Sequence, residues 1–458
     1  MLALVIVVAT AIAGGGLLLS ADEEGSESAL SPTQTVGTST PIPLPTPWVL
    51  PGQPPPMPTP DPVRNVPEVT LVDTQNGGTI PLWEPGYRIH EVVFQSDWLY
   101  YVRFPVATGV VDAEIMAFSL QSHQSAYKLA DGYNITISVY GDIAYTVRHP
   151  DGTDTGATLD RFWRPGPPPG GAGRFAWSPD GRWLTSGDGY LGDGVPIPQY
   201  ILDYDFRTAR VRQFAETFPC HCDGGPRVLW APDGARFQFT RITGVPGQGD
   251  YISEIYEPWN LTRVAAPQVY TWIDATSYIV MHQPPPEANY IYIVATGQKT
   301  ALPAPVLPSP YGPLLATLPG FDEVTFSVLA EDGSTIVAGL AGAPVEFSQD
   351  GKHILSLGDG GCGHGLNVYR IVDGGLVLCK GGAGGSISPD GTRVAAVATR
   401  YVMHPPVGSA TPQTSELWVI DLMTGSERQV ASDLRGGLGC AYWSPDSRYV
   451  VVAFCPGV

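Results

Sequence analysis

The sequence predicts an all-β fold, a β-propeller of four-stranded antiparallel blades, and two observations support this prediction. The first is a turn motif, an apolar residue followed by Ser-Pro-Asp-Gly or a close variant, that occurs five times. The second is a further apolar hairpin after most copies of that turn. Repeats of this kind mark an array of like units, and a unit of about 40 to 55 residues is the size of one propeller blade. The five copies are Trp177–Gly181, Trp230–Gly234, Phe347–Gly351, Ile387–Gly391 and Trp443–Ser447.

The residue types of the motif are those that a tight turn needs. Serine bonds the backbone two residues on, proline presets φ for the first central position, and aspartate tolerates the second. Glycine then takes the left-handed conformation that closes the hairpin. Gln349 replaces the proline in one copy. Ser447 replaces the glycine in the last, so that turn is expected to use another geometry or to carry strain. The residues assigned to structural turns, and not to catalysis, are Asp180, Gly181, Asp233, Gly234, Asp350, Gly351, Asp390, Gly391 and Asp446.

Counting units outward from the motif gives about eight blades, with seven or nine as alternatives. The last Ser-Pro-Asp hairpin has no second hairpin behind it, and residues 68–72 and 79–83 are predicted to supply the missing strands. A ring closed by both ends of the chain exposes no long sheet edge. The stretch 306–343 is too long for a loop and too short for a clear blade. Trp177, Trp230 and Trp443 are expected to pack between adjacent blades.

The turn motif, followed by a hairpin such as that of 416–430, resembles the TolB-type, WD-repeat-like propeller family over residues 66–458. The resemblance implies the fold more than the activity, because one propeller scaffold hosts binding proteins, peptidase accessory domains, lyases and lactonases. The chain has no Gly-x-Ser-x-Gly elbow, phosphate loop, dinucleotide fingerprint or His-Glu-x-x-His motif. We therefore expect a binding module rather than an enzyme. The alternative is an enzyme with its site at the central channel, either a metal-dependent lyase or a lactonase-like hydrolase.

The beginning of the chain predicts export. Residues 2–19 are uninterrupted apolar and small residues, which predicts an N-terminal apolar helix that serves as a signal peptide or membrane anchor over 1–21. Residues 22–65 are rich in Pro, Thr and Ser and predict a disordered, extended linker. The propeller is assigned to 66–458. An extracellular, periplasmic or outward-facing tethered protein is expected, which touches a membrane only through residues 2–19 if they stay uncleaved.

The net charge of −19 bears on the partners. An acidic surface repels phosphate backbones, so a nucleic-acid partner is not expected. The expected partner is a protein or a glycan, held by a monomer through rim loops that differ between blades, since recognition concentrates on loops carried by a rigid scaffold.

The six cysteines favour disulfides, because an even count in an exported chain is typical of them. Fifteen pairings of six cysteines are conceivable. Pairing within a blade is preferred, which predicts Cys362 with Cys379 and Cys440 with Cys455.

Metal binding is the alternative for some of these residues. Cys220-His221-Cys222, joined by Cys362 and His364, could form a site, although the spacing is not that of a zinc finger. Two acidic loops could offer oxygen ligands to calcium, but Gly-Asp-Gly is also an ordinary turn. No cofactor is predicted. A divalent cation such as calcium is the alternative, with weak candidate ligands at Asp188, Asp193, Asp359 and His364.

Overall fold

A computed structural model shows the chain as a ring of antiparallel β-sheets. It describes residues 69–453 apart from 83, 85, 108, 172, 188–196, 205–208, 218–227, 244–249, 268, 281–288, 319–323, 361–362, 405–408 and 436–439. The predicted leader and linker, 1–65, lie outside these residues. Within the described ranges the one helical element is the short 3-10 turn Gly109–Asp112, and none is long and apolar enough to cross a membrane.

The strands are labelled in chain order, and the sheets are called blades 1 to 9. Strands β1 (Thr70–Asp73) and β2 (Thr79–Pro81) come first and join the last blade. Blade 1 contains β3 (Tyr87–Gln95), β4 (Trp98–Pro105), β5 (Glu114–Ser119) and β6 (Tyr127–Asp131). Blade 2 contains β7 (Tyr133–Ile137), β8 (Ile143–Arg148) and β9 (Asp154–Leu159). Blade 3 contains β10 (Arg174–Trp177), β11 (Trp183–Gly187), β12 (Ile197–Asp203) and β13 (Arg210–Thr217).

The next three blades follow the same order. Blade 4 contains β14 (Val228–Trp230), β15 (Phe237–Thr243), β16 (Asp250–Tyr256) and β17 (Arg263–Ala265). Blade 5 contains β18 (Val269–Trp272), β19 (Ser277–Val280), β20 (Tyr290–Ile293) and β21 (Gln298–Ala301). Blade 6 contains β22 (Val306–Pro308), β23 (Leu314–Thr317), β24 (Thr325–Ala330) and β25 (Thr335–Ala341).

The last three blades complete the ring. Blade 7 contains β26 (Ala343–Phe347), β27 (His353–Gly360), β28 (Gly363–Arg370) and β29 (Leu376–Gly381). Blade 8 contains β30 (Ala383–Ile387), β31 (Arg393–His404), β32 (Ser409–Asp421) and β33 (Glu427–Arg435). Blade 9 contains β34 (Cys440–Trp443) and β35 (Tyr449–Ala453), extended by β1 and β2 in the order β2-β1-β35-β34. The chain therefore closes its ring with strands from both ends, as the sequence predicts.

The described residues form nine blades, so the predicted count of eight is wrong by one. The difference lies in 306–343, which forms blade 6. Its first turn reads Ser309-Pro-Tyr-Gly312, a further copy of the repeated motif in which Tyr311 stands in place of aspartate. A sequence pattern that requires aspartate does not detect this copy. The turn nevertheless forms, because the backbone hydrogen bond from Ser309 N to Leu314 O has the same length, 2.8 Å, as that from Ser178 N to Trp183 O.

Burial between blades forms the core. Each of the nine apolar clusters in the described chain joins two neighbouring blades. Between blades 3 and 4, for example, Trp183 packs with Phe237, Phe239 and Tyr256. Fully burying one such side chain contributes roughly 1.5–3 kcal/mol, so most of the stabilisation lies between sheets.

Tryptophan at the end of the first strand ties several blades to the preceding one. First strands of successive blades contact one another, as β10 does β7 and β14, so they lie nearest the axis. Four indole N–H groups donate to a backbone carbonyl of the preceding first strand, and three of these tryptophans are the ones predicted to pack between blades. The pairs are Trp177 with Thr136 (3.4 Å), Trp230 with Ala176 (3.1 Å), Trp272 with Leu229 (3.0 Å) and Trp443 with Ser386 (3.1 Å).

Glutamate makes the equivalent tie at two other interfaces. Glu346 in β26 accepts a hydrogen bond from the backbone N–H of Ile387 in the next blade, at 3.0 Å. Glu91 in β3 accepts one from Ile135 N, at 2.7 Å. Among the described residues, no indole N–H donates to a first-strand carbonyl at these two interfaces, between blades 7 and 8 and between blades 1 and 2. A glutamate thus makes the link at these two places.

We expect Trp443→Phe to lower the free energy of unfolding by at least about 1 kcal/mol, because Ser386 O loses its indole donor while an aromatic ring remains in the core. The measurement is urea denaturation followed by circular dichroism. Trp259→Phe is the matched control, since Trp259 is 53% exposed, and its change should stay within about 0.5 kcal/mol. Equal losses in the two variants would contradict the linking role of Trp443.

Candidate functional site

The repeated turns share one rim of the ring. Because adjacent strands run antiparallel, the turns that join first to second and third to fourth strands lie at one end of each blade. We call this end the turn rim. The connections from second to third strands, and those between blades, lie at the opposite end, which we call the loop rim.

The aspartates of the repeated motif bond within their own turns. In the turn of blade 8, Ser388 Oγ donates to Asp390 Oδ1 at 2.5 Å, and the same oxygen accepts from Thr392 N at 3.0 Å. Burial by itself would raise the pKa of Asp390, but hydrogen bonds from Ser388, Thr392 and Arg393 lower it to about 2. The same serine–aspartate bond occurs at Asp180, Asp350 and Asp446. In the turn of Asp233, Ala231 stands in place of the serine, and Asp233 accepts a hydrogen bond from Ala235 N.

In two of the turns, glycine makes room for the aspartate of the preceding turn along the rim. A Cβ on Gly234 would lie 3.2 Å from Asp180 Cγ, and one on Gly391 would lie 3.2 Å from Asp350 Cγ. Gly181, Gly234, Gly351 and Gly391 all have φ between 67° and 70°. At these two places, the carboxylate of one turn packs against the glycine of the following turn.

Ser447 adopts the conformation of the glycines that it replaces. Its φ is 58°, in the left-handed region, so the last turn keeps the common geometry at a cost in strain. Its hydroxyl oxygen accepts from Asp390 N at 3.0 Å, and its carbonyl accepts from Arg393 Nη2 at 2.8 Å. These bonds to blade 8 offset the strain in a way that glycine could do only in part.

Two of the four candidate cation ligands meet at the loop rim. Asp359 and His364 are directly paired across β27 and β28, with 3.5 Å between Oδ1 and Nδ1. Their side chains are 74% and 84% exposed. Asp188 and Asp193 lie outside the described residues, as do Cys220, His221 and Cys222. Among the described residues no three His, Cys, Asp or Glu side chains are grouped so as to hold a metal ion.

Two of the cysteines assigned to disulfides are described. Cys379 and Cys440 are each disulfide-bonded. Cys362 and Cys455, their predicted partners, lie outside the described residues. The pairing itself stays a prediction.

Two adjoining cavities lie around the axis on the turn rim, and we call them the axial cavities. The first has a volume of about 540 Å³ and is lined by residues of blades 1, 6, 7, 8 and 9. The second has a volume of about 740 Å³ and is lined by residues of blades 3 to 7. Tyr311, Glu346 and Phe347 line both cavities. Volumes of this size are typical of ligand sites.

Exposed apolar side chains gather in the axial cavities. Tyr270, Tyr311, Val345 and Tyr442 line them and are 40% to 50% exposed. Tyrosine supplies a large contact area at a low cost in conformational entropy, which is why it is common at binding surfaces. Prolines of the repeated turns also line the cavities and make their walls more rigid.

Glu346 is the one acidic residue among those that line the axial cavities in the described chain. Burial raises the pKa of its carboxyl group to about 7, and the hydrogen bond from Ile387 N offsets part of that effect. The negative charge of Glu346 also raises the pKa of Tyr311, which burial raises more strongly. The cavities therefore hold one carboxyl group that changes its charge near neutral pH.

Sequence reasoning missed both Tyr311 and Glu346. The signal for Tyr311 is present in Ser-Pro-Tyr-Gly, because a turn motif that keeps Ser, Pro and Gly but replaces Asp marks a blade with a different surface. No comparable signal exists for Glu346. Its partner Ile387 is 41 residues away, and its burial depends on two blades meeting.

Comparison with known proteins gives structural matches alone. No family model and no curated protein sequence matches the chain. A TolB structure from Agrobacterium tumefaciens is 11% identical, covers 86% of this chain and 99% of its own, and has a TM-score of 0.32. The β-propeller domain of the Trilobed protease from Pyrococcus furiosus is 14% identical, covers 77% and 97%, and has a TM-score of 0.37.

A peptidase is similar to this chain over part of its length. Dipeptidyl peptidase 4 from Porphyromonas gingivalis is 14% identical with a TM-score of 0.42, and the match covers 79% of this chain and 55% of the peptidase. TolB structures, which the turn motif resembles, are thus among the matches. At these identities and TM-scores the propeller fold rests on the strand pairing, and the matches say nothing of activity.

We expect Asp390→Asn to lower the free energy of unfolding by roughly 1 kcal/mol at neutral pH, because the turn loses a charged acceptor. The lowered pKa of Asp390 means that its stabilisation is present above the ordinary value of 3.8 and is lost as the pH falls through about 2. The denaturation midpoints of variant and wild type should therefore differ at neutral pH and converge as the pH falls toward 2. Asp359→Asn, at an exposed hairpin, is the control and should change little at either pH.

Glu346 predicts the opposite dependence on pH. Its folded-state pKa of about 7 lies above the ordinary value of 4.5, so its contribution to stability decreases as the pH rises from 4.5 to about 7. Glu346→Gln keeps an acceptor for Ile387 N and removes this titration. We expect the variant to unfold at a higher urea concentration than wild type at pH above 7, and the difference to disappear in acid. A difference independent of pH would contradict this assignment.

Proposed function

We propose that this protein is an exported binding module that holds a short basic segment of a partner protein in the axial cavities. The observation that supports this most directly is the collection of exposed tyrosines around a single carboxyl group at Glu346. Export is supported by the apolar residues 2–19, which resemble a signal peptide or anchor.

Charge favours a basic partner. The chain carries a net charge of −19, which attracts cationic partners at long range. Within the described cavities, Glu346 has no Lys, Arg or His among its fellow lining residues. A lysine or arginine of a bound segment would supply the missing counter-charge and would stabilise the ionised carboxylate.

Shape favours an extended segment. The two cavities adjoin at Tyr311, so a ligand that fills both must be longer than it is wide. Tyrosine rings and turn prolines offer flat apolar walls for the side chains that flank the basic residue. A peptide of several residues satisfies these requirements better than a compact small molecule.

A channel enzyme, the alternative left open by the sequence, would need more than one chemical group at this place. Besides tyrosine hydroxyls, Glu346 is the one titratable side chain that lines the described part of the axial cavities. Metal analysis of the purified protein separates the two functions, because a stoichiometric divalent ion at the channel would favour the enzyme.

The test is binding of an array of short, aromatic- and proline-containing peptides that differ at one central position: Arg, Gln or Glu. Wild type should bind the Arg series at least about tenfold more tightly than the Glu series, since the latter places a second carboxylate beside Glu346. Glu346→Gln should abolish that preference, and Tyr311→Ala should weaken binding of every series. Fluorescence polarisation with labelled peptides gives the dissociation constants.

The controls address folding and location. Tyr127→Ala removes a tyrosine that is 45% exposed but lies outside the axial cavities, and it should bind as wild type does. Binding of the Arg series by wild type should strengthen as the pH rises through about 7, where Glu346 ionises. No preference among the three series, or a preference that survives in Glu346→Gln, would refute the proposed function.

A further inference from the structure

A third cavity lies on the turn rim between blades 2 and 3, away from the axis, and we call it the rim pocket. It has a volume of about 580 Å³. Its walls come from both turns of blade 2 and from the first turn of blade 3. Two departures from the repeated pattern coincide here.

The first departure is a tyrosine in the place of the turn aspartate. The first turn of blade 2 reads Ser138-Val-Tyr-Gly141, and Gly141 has φ of 90°. Tyr140 N donates to Ser138 Oγ at 3.2 Å, as Tyr311 N does to Ser309 Oγ in blade 6. With no aspartate in the turn, Ser138 Oγ donates to Asp142 Oδ2 instead, at 3.1 Å. The side chain of Tyr140 is left 60% exposed at the pocket.

The second departure is that blade 2 has three strands, and no fourth, among the described residues. After β9, a segment rich in Pro and Gly follows the edge of the sheet with irregular bonds, such as Gly166 N to Thr158 O at 2.9 Å. Proline cannot continue the ladder, so the segment covers the edge without forming a strand. It begins with a turn in which Asp160 Oδ1 accepts from Phe162 N and Arg164 N, both at 2.9 Å. That turn holds Phe162 at the pocket with 64% of its surface exposed.

Glycine in the neighbouring blade makes room for the tyrosine ring. A Cβ on Gly181 would lie 2.8 Å from Cδ2 of Tyr140. The ring of Tyr140 therefore lies against the turn of blade 3. Phe162 contacts its neighbours, since the guanidinium carbons of Arg161 and Arg164 each lie 5.3 Å from its ring centroid. The pocket thus presents two exposed aromatic rings.

The charges around the rim pocket balance. Asp142 and Asp160 are buried, and backbone or side-chain donors fix them: Arg161 N bonds Asp142 at 3.0 Å, and Arg164 Nη2 bonds Asp160 at 2.6 Å. Among the described residues, the ionic side chains that line the pocket are three of each sign, namely Asp142, Asp160, Asp180, Arg161, Arg164 and Arg182. Guanidinium donors and carboxylate acceptors in equal number suit a ligand that is uncharged and rich in hydroxyl groups.

A buried polar atom without a well-formed hydrogen bond completes the pocket. The hydroxyl group of Tyr204, a residue that lines the pocket, is buried and lies beside the Thr158 hydroxyl group, which itself donates to Pro167 O at 2.7 Å, but no well-formed hydrogen bond joins the two. Burial, and then the carboxylate of Asp142, raise the pKa of this hydroxyl, so it remains a neutral donor. A buried polar group of this kind calls for an additional partner.

We propose that the rim pocket binds a neutral saccharide. The exposed ring of Tyr140 stacks against the apolar face of a pyranose ring, the exposed part of Phe162 adds an apolar contact, and the arginine side chains donate to the sugar hydroxyl groups. An acidic ligand such as phosphate or a sulfated glycan fits less well, because the three aspartates cancel the attraction of the three arginines. The rim pocket shares no lining residue with the axial cavities, so this site does not depend on the proposed function.

The test uses isothermal titration of the full chain with a defined panel: cellopentaose, laminaripentaose, mannopentaose and chitopentaose, with heparin oligosaccharide and inorganic sulfate as the anionic arm. At least one neutral member should bind with a dissociation constant below about 1 mM. Phe162→Ala and Tyr140→Asp should each weaken that binding at least about tenfold. Tyr140→Asp restores the residue found in the sister turns, so it is the variant most compatible with the fold.

Controls separate loss of the site from loss of the fold. Trp259→Ala removes an aromatic ring that is 53% exposed in blade 4 and should bind as wild type does. Each variant is compared with wild type by thermal unfolding, and Tyr140→Asp should unfold within a few degrees of it. Binding of the anionic arm alone, no binding of any neutral member, or unchanged affinity in folded Tyr140→Asp would overturn the proposal.

Discussion

Burial of apolar side chains between neighbouring blades is the interaction on which the rest of the structure depends. A four-stranded sheet of this size has two faces to cover and no core of its own. Each described apolar cluster joins two blades, and together the clusters run round the ring without a break. The interface of blades 9 and 1 contains Leu71 of β1 beside Val451 of β35, because these two strands pair and bring the two ends of the described chain together.

Hydrogen bonds fix the position of one blade relative to the next, which burial of apolar side chains does not determine. Hydrophobic contact is not directional. An indole N–H such as that of Trp230 fixes one first strand relative to the next, because its acceptor is a single backbone carbonyl. At the interface of blades 7 and 8, Glu346 does the same with Ile387 N. The raised pKa of Glu346 follows from this structural position, because burial disfavours the ionised carboxyl group.

The repeated turns explain where binding is to be sought. Asp180 and Asp350 lie against the glycine of the next turn, so their carboxylates are occupied by the scaffold. Tyr140 and Tyr311 stand at the same turn position and project exposed rings into cavities. A turn that keeps its serine and glycine still folds, and the freed position can take a side chain chosen for recognition. The degenerate copies of the repeat therefore provide the binding surfaces in both proposals.

The sequence by itself determined the blade unit and the closure of the ring, because Ser, Pro, Asp and Gly act through bonds within a few residues. Those local rules hold wherever the motif occurs, and they predicted the hairpin after Trp177 and the one after Ile387 equally well. The count of nine was missed because Tyr311 departs from the motif without changing the turn. Tertiary structure alone decided that Glu346 is partly buried and bonded to Ile387 and that Tyr140, Phe162 and Tyr204 line one cavity. Those relations join distant segments, and their energies depend on distance and burial in the folded ring.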